Sequence, residues 1–361
     1  MRELAVLESS WNSAADEIGH AWRPWLPPLT RPRRRRFECV RVRRVGLKPL
    51  EGGKTTIRSL ILRPRPPFRL DLTVWALRRR ALNEVDAWDG STYRRVLVLD
   101  QTPVEVGVTQ QGGADTPALG LTLHSAGGRP DGRLRARAAL ERILSLELDI
   151  DPFYALAAED PVLAPLARRF RGLRPPCFPS VFECLVNAVA LQQLSLAAGL
   201  TLLNRLSRTY GACFSAAGNR MYAFPDPAEL AVARPHSIHA LGFSLRKATT
   251  IVALANAAHE GRLDLESLAT HDDEHVVGTL TQMEGIGRWS AEYTLLRGLG
   301  RLHVFPGDDV GARKNLARWL GLAEPLDYAG VQRAVAAWHP YAGLVYFHLL
   351  LERLAARGDV E

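Results

Sequence analysis

The residues whose types and spacing point most directly to chemistry lie between Leu280 and Tyr293, in the run Met283-Glu284-Gly285-Ile286-Gly287-Arg288-Trp289. Helical spacing ends near Met283 and resumes near Arg288 or Trp289, so Gly285 and Gly287 form a tight helix–helix turn. Both glycines permit positive φ and leave bare backbone against which a phosphate fits. The first N–H groups of the second helix have no intrahelical partner, and the helix dipole favours an anion there. Such a turn grips a DNA phosphate without side-chain charge, although G-x-G is also an ordinary helix connection. Trp289 and Tyr293 stand one turn apart and share a helix face, an arrangement that serves core packing more often than ligand stacking. Two carboxylates follow in Val304-Phe305-Pro306-Gly307-Asp308-Asp309-Val310-Gly311, Asp309 being twenty residues beyond Trp289. His271 and His275 have the i, i+4 spacing of a metal pair, but they open a helix in a polar run and read as surface residues.

These groups need a scaffold. The 361 residues are 47% hydrophobic and 23% charged, enough for a buried core in two or three domains. No run of eighteen apolar residues occurs, which excludes an ordinary membrane-spanning helix. Glu3, Glu8, Asp16 and Glu17 interrupt the first twenty residues, which do not read as a secretory signal. Cys39, Cys177, Cys184 and Cys213 are too scattered for a disulfide scaffold, so a cytoplasmic location is expected. Residues 1–66 hold 15 Lys/Arg and 6 Asp/Glu, a net of +9; with +8 overall, the rest of the chain carries −1. That segment, with Arg33–Arg36 behind a proline-rich stretch, is expected to be a basic, flexible arm, either a contact to nucleic-acid phosphates or a solvated tail.

From residue 67 to 150 the pattern changes. Leu70/Leu72/Val74, Val96/Val98, Val104/Val106/Val108 and Leu119/Leu121/Leu123 alternate, which predicts a small antiparallel sheet, with a helix over Arg133–Leu148. Beyond Pro152 nearly every segment has helical spacing, so the second half is expected to be all-helical. The fold class is α+β.

The hairpin and the Asp308-Asp309 segment together resemble the helix-hairpin-helix (HhH-GPD) DNA glycosylases, and among them the 3-methyladenine DNA glycosylase II type. Cys177 to Ser195, Leu241-Gly242 through Gly261, Trp338-His339-Pro340-Tyr341 and Pro67 to Val85 are similar to further segments of that family, so the resemblance covers about residues 67–355. It implies an N-terminal sheet domain (67–150) followed by two helical subdomains flanking a cleft. One comprises 176–300 and carries the helix-hairpin-helix at about 274–299; the other joins 151–175 to 301–361.

The resemblance also implies an activity: hydrolysis of the N-glycosidic bond of a damaged base rotated out of double-stranded DNA. An alkylated purine is cationic and leaves readily, so the site must mainly supply negative charge beside a sugar that is becoming an oxocarbenium ion. By position that charge is Asp309, with Asp308 expected to cap the next helix. Trp289 and Tyr293 become walls of the base pocket, where a cationic base would gain about 0.5–2 kcal/mol per ring contact. Gly285, Gly287 and Arg288 become the DNA grip, and Gln192, Gln193 and Leu194 the loop that fills the hole left by the extruded base. Which of Gln193 and Leu194 wedges is open. Relatives with a lyase step carry Lys where this chain has Trp289, and no Lys lies between Lys247 and Lys314, so a monofunctional enzyme is expected. No Cys follows Cys213, so no iron–sulfur cluster is expected, and no organic cofactor; a cation bridging hairpin carbonyls to phosphate is implied by the family alone. Leu350 stands where the family type has a further pocket Trp, which leaves the pocket less aromatic. A monomer acting on damaged duplex DNA, with no membrane partner, is expected. The rivals are a catalytically silent DNA-binding protein and a glycosylase for oxidised or deaminated purines. The latter are neutral substrates that would require a hydrogen-bond donor to the base.

Overall fold

The computed structural model describes residues 55–126, 132–216 and 219–360. Most of the expected basic arm, Arg33–Arg36 included, lies outside the described residues. Its last part does not behave as an arm: Thr55–Leu62 forms a strand, β1. Helix α1 (Leu70–Arg78) follows, then β2 (Ala87–Trp88), β3 (Thr92–Leu99), β4 (Thr102–Gln110) and β5 (Leu119–Ala126). The five strands make one antiparallel sheet in the order β1-β5-β4-β3-β2, with Leu60 opposite Leu121 and Val106 opposite Leu123. β3 and β4 are joined by Asp100 and Gln101, both at positive φ (50° and 60°), the two-residue geometry that matches strand twist.

The Leu70/Leu72/Val74 alternation does not make a strand; it belongs to α1. The reason is that α1 is buried on opposite sides. Leu70, Val74 and Leu77 pack into the sheet core, whereas Leu72 and Ala76 pack into a helical core. Each set has helical i, i+4 spacing, and their overlap mimics period two. The helix ends on Arg79, whose φ of +63° is unusual for a residue with a Cβ and costs on the order of 1 kcal/mol.

The chain continues through α2 (Gly132–Ile143), α3 (Asp151–Glu159), α4 (Leu163–Arg169), α5 (Val181–Leu191) and α6 (Leu196–Tyr210). A hairpin of β6 (Cys213–Ala216) and β7 (Asn219–Tyr222) then interrupts the expected all-helical half. Phe214 and Ala223 bury themselves against Val96 of the main sheet, which is what four-residue strands need to be stable. After it come α7 (Pro227–Ala231), α8 (Pro235–His239), α9 (Leu245–His259), α10 (Asp273–Thr281), α11 (Arg288–Arg297), α12 (Val310–Trp319), α13 (Tyr328–Val335) and α14 (Ala342–Ala355).

Two helical cores sit beside the sheet core. One gathers Val181 to Leu299 around α5, α6, α9 and α11, with Leu185, Leu206, Ile251 and Leu295 at most 2% exposed. The other gathers α3 and α4 with α12 to α14, through Phe153, Phe170, Leu316 and Phe347. Sheet and helices are tied by ions: Arg95, 1% exposed, meets Asp86 at 2.7 Å and Glu183 of α5 at 2.5 Å. Breaking such a buried set by removing one partner costs about 3–5 kcal/mol.

Candidate active site

The hairpin joins α10 to α11. α10 is started by Asp272, whose side chain accepts from the His275 backbone N–H at 2.8 Å. The two glycines then do different things. Gly285 has φ +87°, and a Cβ there would lie 2.2 Å from the Thr250 hydroxyl oxygen, so the position demands glycine twice over. Gly287 does not use the positive φ open to it: it is extended (φ −107°) and caps α11 with no side-chain partner. A Cβ at Gly287 would meet nothing within 4 Å, so the helix start is open to an anion.

Gln192 is tied back to the hairpin through its side-chain amide. Its Nε2 donates to the Gly285 carbonyl (2.8 Å) and the Ser290 hydroxyl (3.0 Å), tying the end of α5 to the hairpin. Lys247 Nζ donates to the Ala190 and Gln192 carbonyls at 3.0 and 2.6 Å, and its burial lowers its pKa. On that fixed base Gln193 sits exposed at φ +54°, next to Leu194, which is 44% exposed for an apolar side chain. Both protrude at the cleft.

The two aspartates exchange the roles expected for them in part. Asp309, not Asp308, caps α12: its Oδ1 accepts from the Ala312 N–H at 2.9 Å. Asp308 instead pairs with Arg288 (2.7 Å), whose guanidinium also lies 3.9 Å from the centroid of the Tyr328 ring. The reason is geometric: capping takes one carboxylate oxygen, so Asp309 keeps Oδ2 for the cleft. That oxygen receives the Trp289 indole N–H at 3.4 Å and the Tyr346 hydroxyl at 3.3 Å. Burial, and then the charge of Asp309, push the Tyr346 pKa well above that of a free phenol, so it stays a donor. The loop before Asp309 is fixed by Glu292, which accepts from the Gly307 N–H (3.2 Å) and the Tyr328 hydroxyl (2.7 Å).

Trp289 and Tyr293 do share a face, with ring centroids 5.4 Å apart, and they line a cleft of about 1290 Å³ with Asp309, Tyr346 and Leu350. Trp289 is half-buried; Tyr293 is only 2% exposed and packs on Phe178 and Cys184. Arg79 also lines this cleft: its Nη1 donates to the Tyr293 hydroxyl at 2.8 Å and its Nη2 to Asn187 Oδ1 at 3.0 Å. Arg246, Lys314, Arg318, Arg353 and Arg357 border the opening, where Asp308 and Asp309 are the acidic lining residues. Tyr346, Arg79 and this rim were not singled out in the sequence. For the rim the signal existed, since Lys314/Arg318 and Arg353/Arg357 are each one helical turn apart. His271 and His275 stack at 4.1 Å, and among the described residues no group of three or more metal-binding side chains forms.

Residues 186–340 match the model of the HhH-GPD superfamily base excision DNA repair protein, and residues 59–180 that of the AlkA N-terminal domain. The chain belongs to the HhH-GPD superfamily. The "DNA-3-methyladenine glycosylase 2" of Escherichia coli (strain K12) is 29% identical over 285 residues, 79% of this chain and 94% of that protein. The "DNA-3-methyladenine glycosylase" of Bacillus subtilis (strain 168) is 32% identical over 166 residues; the match takes in 46% of this chain and 55% of that protein's length. Among solved structures, the 3-methyladenine DNA glycosylase of Archaeoglobus fulgidus superposes with a TM-score of 0.71 at 25% identity, covering 81% of this chain and 97% of that one.

Proposed function

We propose that this chain is a monofunctional DNA glycosylase of base excision repair, hydrolysing the N-glycosidic bond of alkylated purines such as 3-methyladenine after they are flipped from duplex DNA. The observation that carries the reading is Asp309 itself, an anion without an ion-pair partner, fixed by a helix cap and by Trp289 and Tyr346 at the wall of an aromatic cleft. As the C1′–N bond lengthens the sugar turns positive, and a preorganised carboxylate stabilises it without reorganising. The same Oδ2 orients water for attack at C1′. The Gly287 helix start and the basic rim hold the backbone phosphates on either side of the extruded nucleotide.

The absence of a lyase step is supported by Trp289 at the hairpin position and by Lys247, whose ammonium is spent on two carbonyls. Lys314, exposed at the cleft, is the other amine to test. Borohydride treatment during turnover should trap no protein–DNA adduct; an adduct lost on Lys314→Met would overturn this part of the reading. The hairpin carbonyls of Glu284 and Gly285 each already accept one hydrogen bond, from Thr250 and Gln192. Incubation with methylated duplex DNA, followed by separation of free bases, tests the reading: release of 3-methyladenine above background is expected. Binding without release of any base would favour a silent DNA-binding protein.

A further inference from the structure

The loop that carries Asp309 runs between two helices. On one side, α11 presents two adjacent stripes: Trp289 and Tyr293 face the cleft, while Arg288 and Glu292 face the loop. On the other side stands Tyr328, at the start of α13. Its ring packs so closely on Gly307 that a Cβ there would fall 2.6 Å from it. Glu292 joins all three parts. It is 7% exposed; its Oε2 accepts from the Gly307 N–H at 3.2 Å and its Oε1 from the Tyr328 hydroxyl at 2.7 Å. Asp309 follows Gly307 by two residues.

Both of those partners are neutral. Arg288, one turn earlier on α11, is engaged elsewhere: it meets Asp308 at 2.7 Å and lies over the Tyr328 ring. Asp308, on the loop, opposes a second negative charge. Tyr328 has its pKa pushed up to about 12, first by burial and then by Glu292, so it stays a donor. For Glu292 itself, burial raises the pKa, ahead of the opposing effects of the Tyr328 and Gly307 hydrogen bonds. Burying an ionisable acid carries a desolvation cost that a neutral side chain of the same shape would avoid. Its place at the root of the Asp309 loop gives that cost a purpose.

We propose that Glu292 is a positioning residue whose charge clamps the loop 307–309 against α11 and α13, tightening when it is ionised and slackening when it is protonated. The inference rests on the glycosylase reading and concerns a group behind the cleft wall. A carboxylate offers only acceptors, which suits the two donors aimed at it. Once protonated it keeps at most two neutral hydrogen bonds, roughly half as strong. Asp309 then loses part of its fixed placement beside the sugar, where a misplacement on the order of 1 Å costs about a hundredfold in rate. The rate therefore falls as pH drops through the Glu292 value. Stability runs the other way. A pKa raised by folding contributes stability that is present at low pH and lost as pH rises through the folded value.

Single-turnover release from a duplex carrying one 7-methylguanine tests this. The pH series runs from the ordinary glutamate range up to neutrality, with affinity for abasic duplex measured alongside. The unaltered chain should slow about tenfold or more toward the acid end. Glu292→Gln keeps the shape and resembles the protonated form. It should be slow throughout, with that pH dependence gone and abasic affinity unchanged; relative to the parent it should gain in melting temperature as pH rises. Tyr328→Phe removes one donor to the carboxylate and should move the pH dependence upward. A parent rate flat across the series, or a Gln variant whose loss is the same at every pH, would make Glu292 a structural group and overturn the proposal. Should the Gln variant fail to fold, Tyr328→Phe decides, and an unmoved pH dependence overturns it. Any of these failures with base still released removes only this inference; release of no base at any pH removes the glycosylase reading beneath it.

Discussion

Asp309 and Arg79, which line one cleft, are both positioned by neutral partners rather than by an opposite charge. Asp309 is held by three neutral donors, and Arg79 by two neutral acceptors. Several other charges are consumed in pairs: Asp308 by Arg288, Glu183 and Asp86 by Arg95, Glu84 by Arg208. A paired ion has its field largely cancelled and serves geometry. An ion positioned by neutral hydrogen bonds keeps its field for whatever enters the cavity. The contrast between Asp308 and Asp309, adjacent in the chain, is the clearest case.

Four substitutions would break or sharpen that contrast. The largest effect is expected for Asp309→Ala, which removes the unpaired wall charge and the α12 cap together. Base release should fall by three orders of magnitude or more, and stability by about 1 kcal/mol on urea unfolding. A rate within tenfold of the parent would mean the wall charge does not act on the sugar. Next is Gly285→Ala, in the hairpin: the φ of +87° and the 2.2 Å approach to Thr250 predict a loss of about 1–3 kcal/mol in stability, read by the shift in melting temperature. Tyr346→Phe deletes one donor to Asp309 and should cost about 0.5–1.5 kcal/mol in transition-state stabilisation, a rate loss of roughly two- to tenfold with binding of abasic duplex unchanged. The smallest effect is assigned to Asp308→Asn, an exposed ion pair: less than about 1 kcal/mol in stability and little change in release rate. A collapse of activity there would show that pairing is no guide to role.

How much of this was legible in the sequence depended on whether the relevant signal was local. Gly285, Gly287, Trp289 and Asp309 lie within 25 residues, and their order survives translation into structure because one turn and one helix cap position them. The strands from Val96 to Leu123 were legible because one face of each is buried, which enforces period two. α1 was misread because two cores bury opposite faces of a single helix, and the pattern carries no mark of how many cores there are. Arg79 was invisible for another reason. In the run Arg78-Arg79-Arg80 three identical side chains differ only in what they reach, and the partners of Arg79 are 108 and 214 residues away. Tyr346 likewise meets Asp309 across 37 residues from a helix whose pattern reads as core. The β6–β7 hairpin had too few residues for periodicity to emerge.

The most direct measurement is single-turnover base release from one 3-methyladenine-type duplex by Asp309→Asn and Asp308→Asn side by side, with affinity for abasic duplex measured in parallel. Asn preserves shape and the helix-capping oxygen but replaces Oδ2, with its charge and its acceptor role toward Trp289 and Tyr346, by an amide donor. Asp309→Asn should lose at least a thousandfold in rate with its affinity intact, while Asp308→Asn stays within about threefold of the parent. Comparable rates for the two variants, or the greater loss at Asp308, would contradict the account.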